Sequence, residues 1–163
     1  MVKQSRTLLF ISALVLVAQS LTSCSDYWWE RGQALSTADL LKRASEHYES
    51  AQARYGAERA EFQSVAQALN GSLEGALTTL ETDHSGTGVK KLLLACEESF
   101  GALEGKLSVG SRAPYGELSG QLRSMVGRLE KGEEISKSAF SLFTARTRFF
   151  LANEFAMNQP VTG

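Results

Sequence analysis

Leu41, Ala44, Tyr48, Ala51, Tyr55, Glu58, Phe62, Val65 and Leu69 follow one another in steps of three and four, and eight of the nine are apolar or aromatic. Residues at that spacing share one face of an α-helix, whereas a strand would throw them to both sides of a sheet. The stretch is therefore committed to a helix with one buried face. Large residues fall on one heptad position and mostly small ones on the other, which lets a neighbouring helix approach closely in knobs-into-holes fashion. Ser36 or Thr37 supplies the amino-terminal cap, Asp39 sits in the first turn, and the first expected stop is Asn70-Gly71.

Three further faces repeat the rhythm. Val89, Leu93, Cys96, Phe100, Leu103 and Leu107 predict a helix from about Thr87 to Ser108. Tyr115, Leu118, Leu122, Met125 and Leu129 predict another, entered through Pro114, a residue suited to a first helical turn. The last runs through Ile135, Leu142, Ala145, Phe149, Ala152 and Ala156, and Phe143, Phe150 and Met157 widen its stripe. So wide an apolar face belongs to a helix packed on two or more partners. Asp83-His84-Ser85-Gly86-Thr87-Gly88 and Val109-Gly110-Ser111-Arg112-Ala113 read as loops by their turn chemistry. Two prolines, few clustered β-branched residues and no useful period-two run argue against a sheet.

Length decides how the long helical stretches divide. Unbroken, they would form segments of about 45, 21 and 44 residues, roughly 67, 31 and 66 Å long. The middle segment could not cover both long ones, and half of each apolar face would be bare. Either the helices break or the long ones pair with another chain; the fold expected is the first, an all-α bundle of four or five antiparallel helices with coiled-coil-like heptad packing, spanning residues 36–158, with breaks near Gly71 or Gly132.

Ahead of the helical region the chain has a different character. Lys3 and Arg6 precede an uncharged stretch from Thr7 to Ser20 that contains Leu8, Leu9, Phe10, Ile11, Leu14, Val15, Leu16 and Val17, and small residues lead to Cys24. This resembles the signal peptide of bacterial lipoproteins, with Leu21-Thr22-Ser23-Cys24 as its closing motif; the resemblance covers roughly the first 25 residues. It implies cleavage between Ser23 and Cys24, a diacylglycerol on the Cys24 thiol and acylation of the new amino terminus. Two acyl chains anchor a protein stably without a spanning helix, and the apolar run is shorter than the ~20 residues a bilayer core requires. By the same resemblance Ser25, where an Asp would retain an enteric lipoprotein in the inner membrane, directs the chain to the outer membrane, facing the periplasm.

Residues 24–35 then read as a lipidated tether, and residues 159–163 as a carboxy-terminal tail. Tyr27, Trp28 and Trp29 follow the anchor closely and are expected at the membrane-water interface, where such rings keep their bodies in lipid and polar tips in water. Removing Lys3 and Arg6 with the signal leaves 15 basic against 18 acidic side chains, a net charge of −3, so no nucleic-acid partner is expected. Cys96 alone remains as a thiol, without an internal disulfide framework, and reads as a small buried hydrophobe.

Catalytic groups are scarce. His47 lies beside Tyr48 on a helix. Asp83-His84-Ser85 carries nucleophile-type residues, but catalytic Ser-His pairs are assembled from separated segments, so it reads as a turn. Glu97-Glu98 and Glu133-Glu134 are adjacent helix positions that point about 100° apart and do not face each other; the second pair would start the last helix, where acids suit the dipole. Arg146 and Arg148, interleaved with Phe143, Phe149 and Phe150, could meet an anionic lipid or acidic partner, or cover the rings with their stems. No catalytic residue, metal ligand set or cofactor site is expected. The expected function is that of a membrane-anchored, non-catalytic binding, scaffold or accessory subunit that meets an envelope protein or a second copy of itself. The alternative is a carrier of a lipid or small apolar ligand between helices.

Overall fold

The computed structural model of the chain describes residues 36–82 and 86–157. They form five α-helices: α1 Thr37–Tyr55, α2 Ala60–Thr79, α3 Thr87–Glu104, α4 Arg112–Glu130 and α5 Lys137–Met157. A 3-10 turn, Gly56–Arg59, joins α1 to α2, and a second, Val109–Ser111, leads into α4. No strand occurs among the described residues, and the all-α bundle is the one the periodicity predicts. The helices run from 18 to 21 residues, or roughly 27 to 32 Å, so each can cover its neighbours along its whole length.

Each helix runs antiparallel to the one before it. Tyr115 near the start of α4 meets Phe100 near the end of α3, while Glu130 at the end of α4 meets Lys90 at the start of α3. The first and last helices close the bundle as a parallel pair: the Thr37 and Ser138 hydroxyls lie 3.4 Å apart at one end, and Arg59 meets Glu154 at the other. α5 also packs on α2 and α4. It is the central helix of the bundle, which accounts for its wide buried surface.

The long segments divide as the length argument requires, but one break falls elsewhere. Gly71 lies inside α2, with open space where a Cβ would stand, so Asn70-Gly71 is no stop. The chain turns instead at buried Gly56, where a Cβ would meet the Gln63 amide at 2.6 Å. Gly132 is a genuine break, at φ 76, the left-handed conformation that glycine adopts without strain. Glu133 and Glu134 precede α5 and do not start it; Arg128 holds both, through the Glu133 carboxylate at 2.9 Å and the Glu134 carbonyl at 3.0 Å. The α5 cap is Ser136, whose Oγ accepts from the Ala139 N–H at 3.1 Å. Residues 109–113 also fold more regularly than their turn chemistry suggested, as a 3-10 turn and the first residues of α4.

The core is aromatic. Phe62 and Phe155 meet edge to face at 4.8 Å, Phe143 packs against both Phe100 and Phe140, and all five rings are buried. Such pairs add about 1 kcal/mol each beyond the area they bury. The α3 face is buried in the predicted register from Val89 to Leu103. On α5 the register differs: Ala145 and Ala152 are buried, but Ala156 and Met157 are exposed, and the most enclosed row is Phe140, Thr144, Leu151 and Phe155.

Candidate functional site

That α5 row also contains Arg148, and it delivers a guanidinium into the middle of the bundle. Arg148 is 4 % exposed. Its Nε donates to Asn70 Oδ1 at 2.8 Å, Nη1 to Ser45 Oγ at 2.7 Å, and Nη2 to Glu74 Oε2 at 2.5 Å. Asn70 and Glu74 stand one turn apart on α2, and Ser45 faces them from α1, its own hydroxyl donating to the Leu41 carbonyl at 2.9 Å. One planar cation thus ties three helices, a task for which the fixed fork of Arg is suited and a point-like ammonium is not.

Tyr48 sits on α1 one turn beyond Ser45 and is 2 % exposed. Its hydroxyl makes no hydrogen bond within the protein. Burial pushes the Tyr48 hydroxyl up to about 12, and the nearby Arg148 charge pulls weakly the other way. The group is a proton donor at any physiological pH. Ser45, Tyr48, Glu49, Asn70, Glu74 and Arg148 line a cavity of about 360 Å³. A wider open groove of about 680 Å³ adjoins it toward the starts of α1 and α5, with Leu41, Lys42 and Lys137 along it.

A second buried polar cluster lies toward the other end of the bundle, around Glu154, which is fully buried. Its Oε1 accepts from the Ser108 N–H at 2.8 Å and pairs with Arg59 Nη2 at 3.5 Å. Oε2 accepts from Ser108 Oγ at 3.1 Å and from Ser111 Oγ. Arg59 also donates to the Glu154 and Lys106 carbonyls and lies over the Phe62 ring at 4.2 Å. The cluster fastens both 3-10 turns to the last helix. Its serines carry a carboxylate but no histidine, and their hydroxyls are committed inward.

The sequence-predicted positions fare differently. Cys24, Tyr27, Trp28, Trp29, Asp83 and His84 lie outside the described residues. His47 is exposed on α1, its ring 5.7 Å from that of Phe149. Arg146 stands 3.9 Å from Glu117, a partly exposed pair. Arg148, read as a surface group, is a buried tie. Cys96 is buried and unbridged, and burial pushes its thiol up to about 12. Among the described residues no three His, Cys, Asp or Glu side chains gather as a metal site, and no helix is long and apolar enough to cross a membrane. Sequence reasoning missed Arg148 and Glu154 as interior residues. The available signal was the row Phe140, Thr144, Leu151, Phe155, whose spacing places Arg148 on the same face.

No family model matches the chain, and neither a curated protein nor a solved structure shows a match to it.

Proposed function

We propose that this chain is a lipid-anchored protein of the bacterial envelope whose helical domain works by binding, as an accessory or scaffold subunit and not as an enzyme. The observation that carries the reading is Leu21-Thr22-Ser23-Cys24 at the end of an apolar export signal, twelve residues ahead of the first helix of the bundle. Twelve residues reach at most roughly 40 Å, so the anchor keeps the domain close to one membrane face. That face is the periplasmic side of the outer membrane, on the strength of Ser25 after the cysteine.

The bundle supports a binding role through its rigidity. Arg148 joins three helices and Glu154 fixes two turns, so the exposed faces form a fixed platform of the kind that meets a partner with little reorganisation. The groups assembled in its interior are bonded to one another as ties between helices and turns.

The test is extraction of the full-length protein from its native membranes in mild detergent, with quantitative identification of what accompanies it. A second envelope protein, or a second copy of the chain, recovered in fixed proportion is the expected result. Recovery as a monomer with no partner in fixed proportion would contradict the reading.

A further inference from the structure

Buried ties hold the bundle unevenly. Arg148 binds α1, α2 and α5 together. α3 lies close on α2, where Leu92 Cδ2 would stand 3.3 Å from a Cβ at Gly75. α4 belongs to neither arrangement. Glu154 pins its start through Ser108 and Ser111, and its far end passes into the bend at Gly132. Between those points Tyr115 Oη donates to the Phe100 carbonyl at 2.9 Å, while Glu117 with Arg146 and Glu130 with Lys90 are partly exposed ion pairs at 3.9 and 3.5 Å. Exposed pairs of that kind contribute little to stability.

Burial and sequence weaken the same helix. α3 buries five side chains to 1 % exposure or less, whereas of the five that α4 buries only Leu122 is fully enclosed and one is Ser119. Gly116, Gly120 and Gly127 all lie inside α4 with nothing within 4 Å of a Cβ position, so close packing does not call for them. Each disfavours the helix about fivefold against Ala. Elements with few enclosed contacts are the first to open in native-state fluctuations. What α4 covers is aromatic. It packs on both α3 and α5, at whose junction Phe100 lies 6.4 Å from Phe143, and its Tyr115 ring rests 5.9 Å from that of Phe100.

We propose that α4 is a detachable cover. It opens as a unit by local unfolding between Ser111 and Gly132 while α1, α2, α3 and α5 stay folded, and it uncovers the aromatic seam between α3 and α5. Its two ends stay attached, so it closes again over the same seam. The inference stands independently of the membrane anchor.

The experiment is hydrogen-deuterium exchange of the full-length protein in detergent, read by mass spectrometry of peptides from each helix across a series of sub-denaturing urea concentrations. Amides from Gly116 to Leu129 should exchange at least tenfold faster than those from Phe143 to Phe155. Their rates should also rise with urea at less than half the slope, because local opening exposes less surface than global unfolding. Arg148→Lys supplies a second readout. It weakens contacts that persist in the opened state, so exchange in α5 should accelerate about thirtyfold while that in α4 changes less than twofold. Equal rates or equal urea slopes for α4 and α5 would overturn the proposal, as would acceleration of α4 in step with α5 in Arg148→Lys. Where that variant fails to fold or leaves α5 unaltered, the wild-type urea series decides.

Discussion

Arg59 and Glu154, 95 positions apart in sequence, meet as an ion pair 3.5 Å apart with side chains 12 % and 0 % exposed. The contact joins the turn between α1 and α2 to the last helix, and the same carboxylate holds Ser108 and Ser111 ahead of α4. Two connections that would otherwise be independent are fixed to the last helix at one point.

Removing that point should be expensive. Glu154→Ala leaves a largely buried guanidinium without its charge partner and the Ser108 N–H without an acceptor, a loss of about 3–5 kcal/mol by urea denaturation. Glu154→Gln keeps the shape and one acceptor oxygen and should cost less, about 1–2 kcal/mol. Equal costs for the two variants would mean that the charge contributes nothing.

Arg148→Lys retains the charge but cannot aim three donors at Asn70, Ser45 and Glu74 together. The expected loss is about 2 kcal/mol in the same assay. An unchanged urea midpoint would show that the three-way tie does not stabilise the fold.

Two glycines should respond in opposite directions. Gly71 is mid-helix with nothing within 4 Å of a Cβ position, so Gly71→Ala should stabilise by about 1 kcal/mol. Gly132 has φ 76, and Gly132→Ala should destabilise by about 1 kcal/mol. Thermal melts of the two variants check both signs.

These glycines also show how much of the fold the sequence discloses. A helical face is legible when large apolar residues recur without interruption, as from Val89 to Leu103, and there the register is correct. A break inside a long helical stretch is harder to read. The Tyr55-Gly56-Ala57-Glu58-Arg59 stretch holds no proline and no loop-like cluster, and a lone glycine is its one local sign of a turn. Asn70-Gly71 carries the stronger local signal, yet packing of α2 on α3 and α5 overrides it. Arg148 and Glu154 were legible as charges but not as interior ones, because burying a charge requires partners from distant segments that no local pattern displays. The candidate site is therefore a product of tertiary structure. Ser45, Tyr48, Asn70, Glu74 and Arg148 come from three helices, and nothing in their separate neighbourhoods announces it.

Alkaline pH should weaken the fold. Burial raises the Cys96 thiol from 9.0 to about 12 and, despite the opposing Arg148 charge, the Tyr48 hydroxyl from 10.0 to about 12. Both protons are held more tightly in the folded state than in the unfolded one. Their contribution is thus complete below pH 9 and is lost as pH rises toward 12, by about 1.4 kcal/mol per pH unit for each group titrating. Urea midpoints should fall across this range, and in Cys96→Ala the fall should begin about one unit higher. For the same reason Cys96 should resist alkylation by iodoacetamide at pH 8 until the protein unfolds.

The most direct test of the account is the intact mass of the protein recovered from membranes, beside that of Cys24→Ala. The expected protein begins at Cys24 and carries a diacylglycerol on its thiol, and the Cys24→Ala protein retains its first 23 residues and takes up no acyl label. A wild-type chain that is cleaved elsewhere, or that carries no lipid, would contradict it.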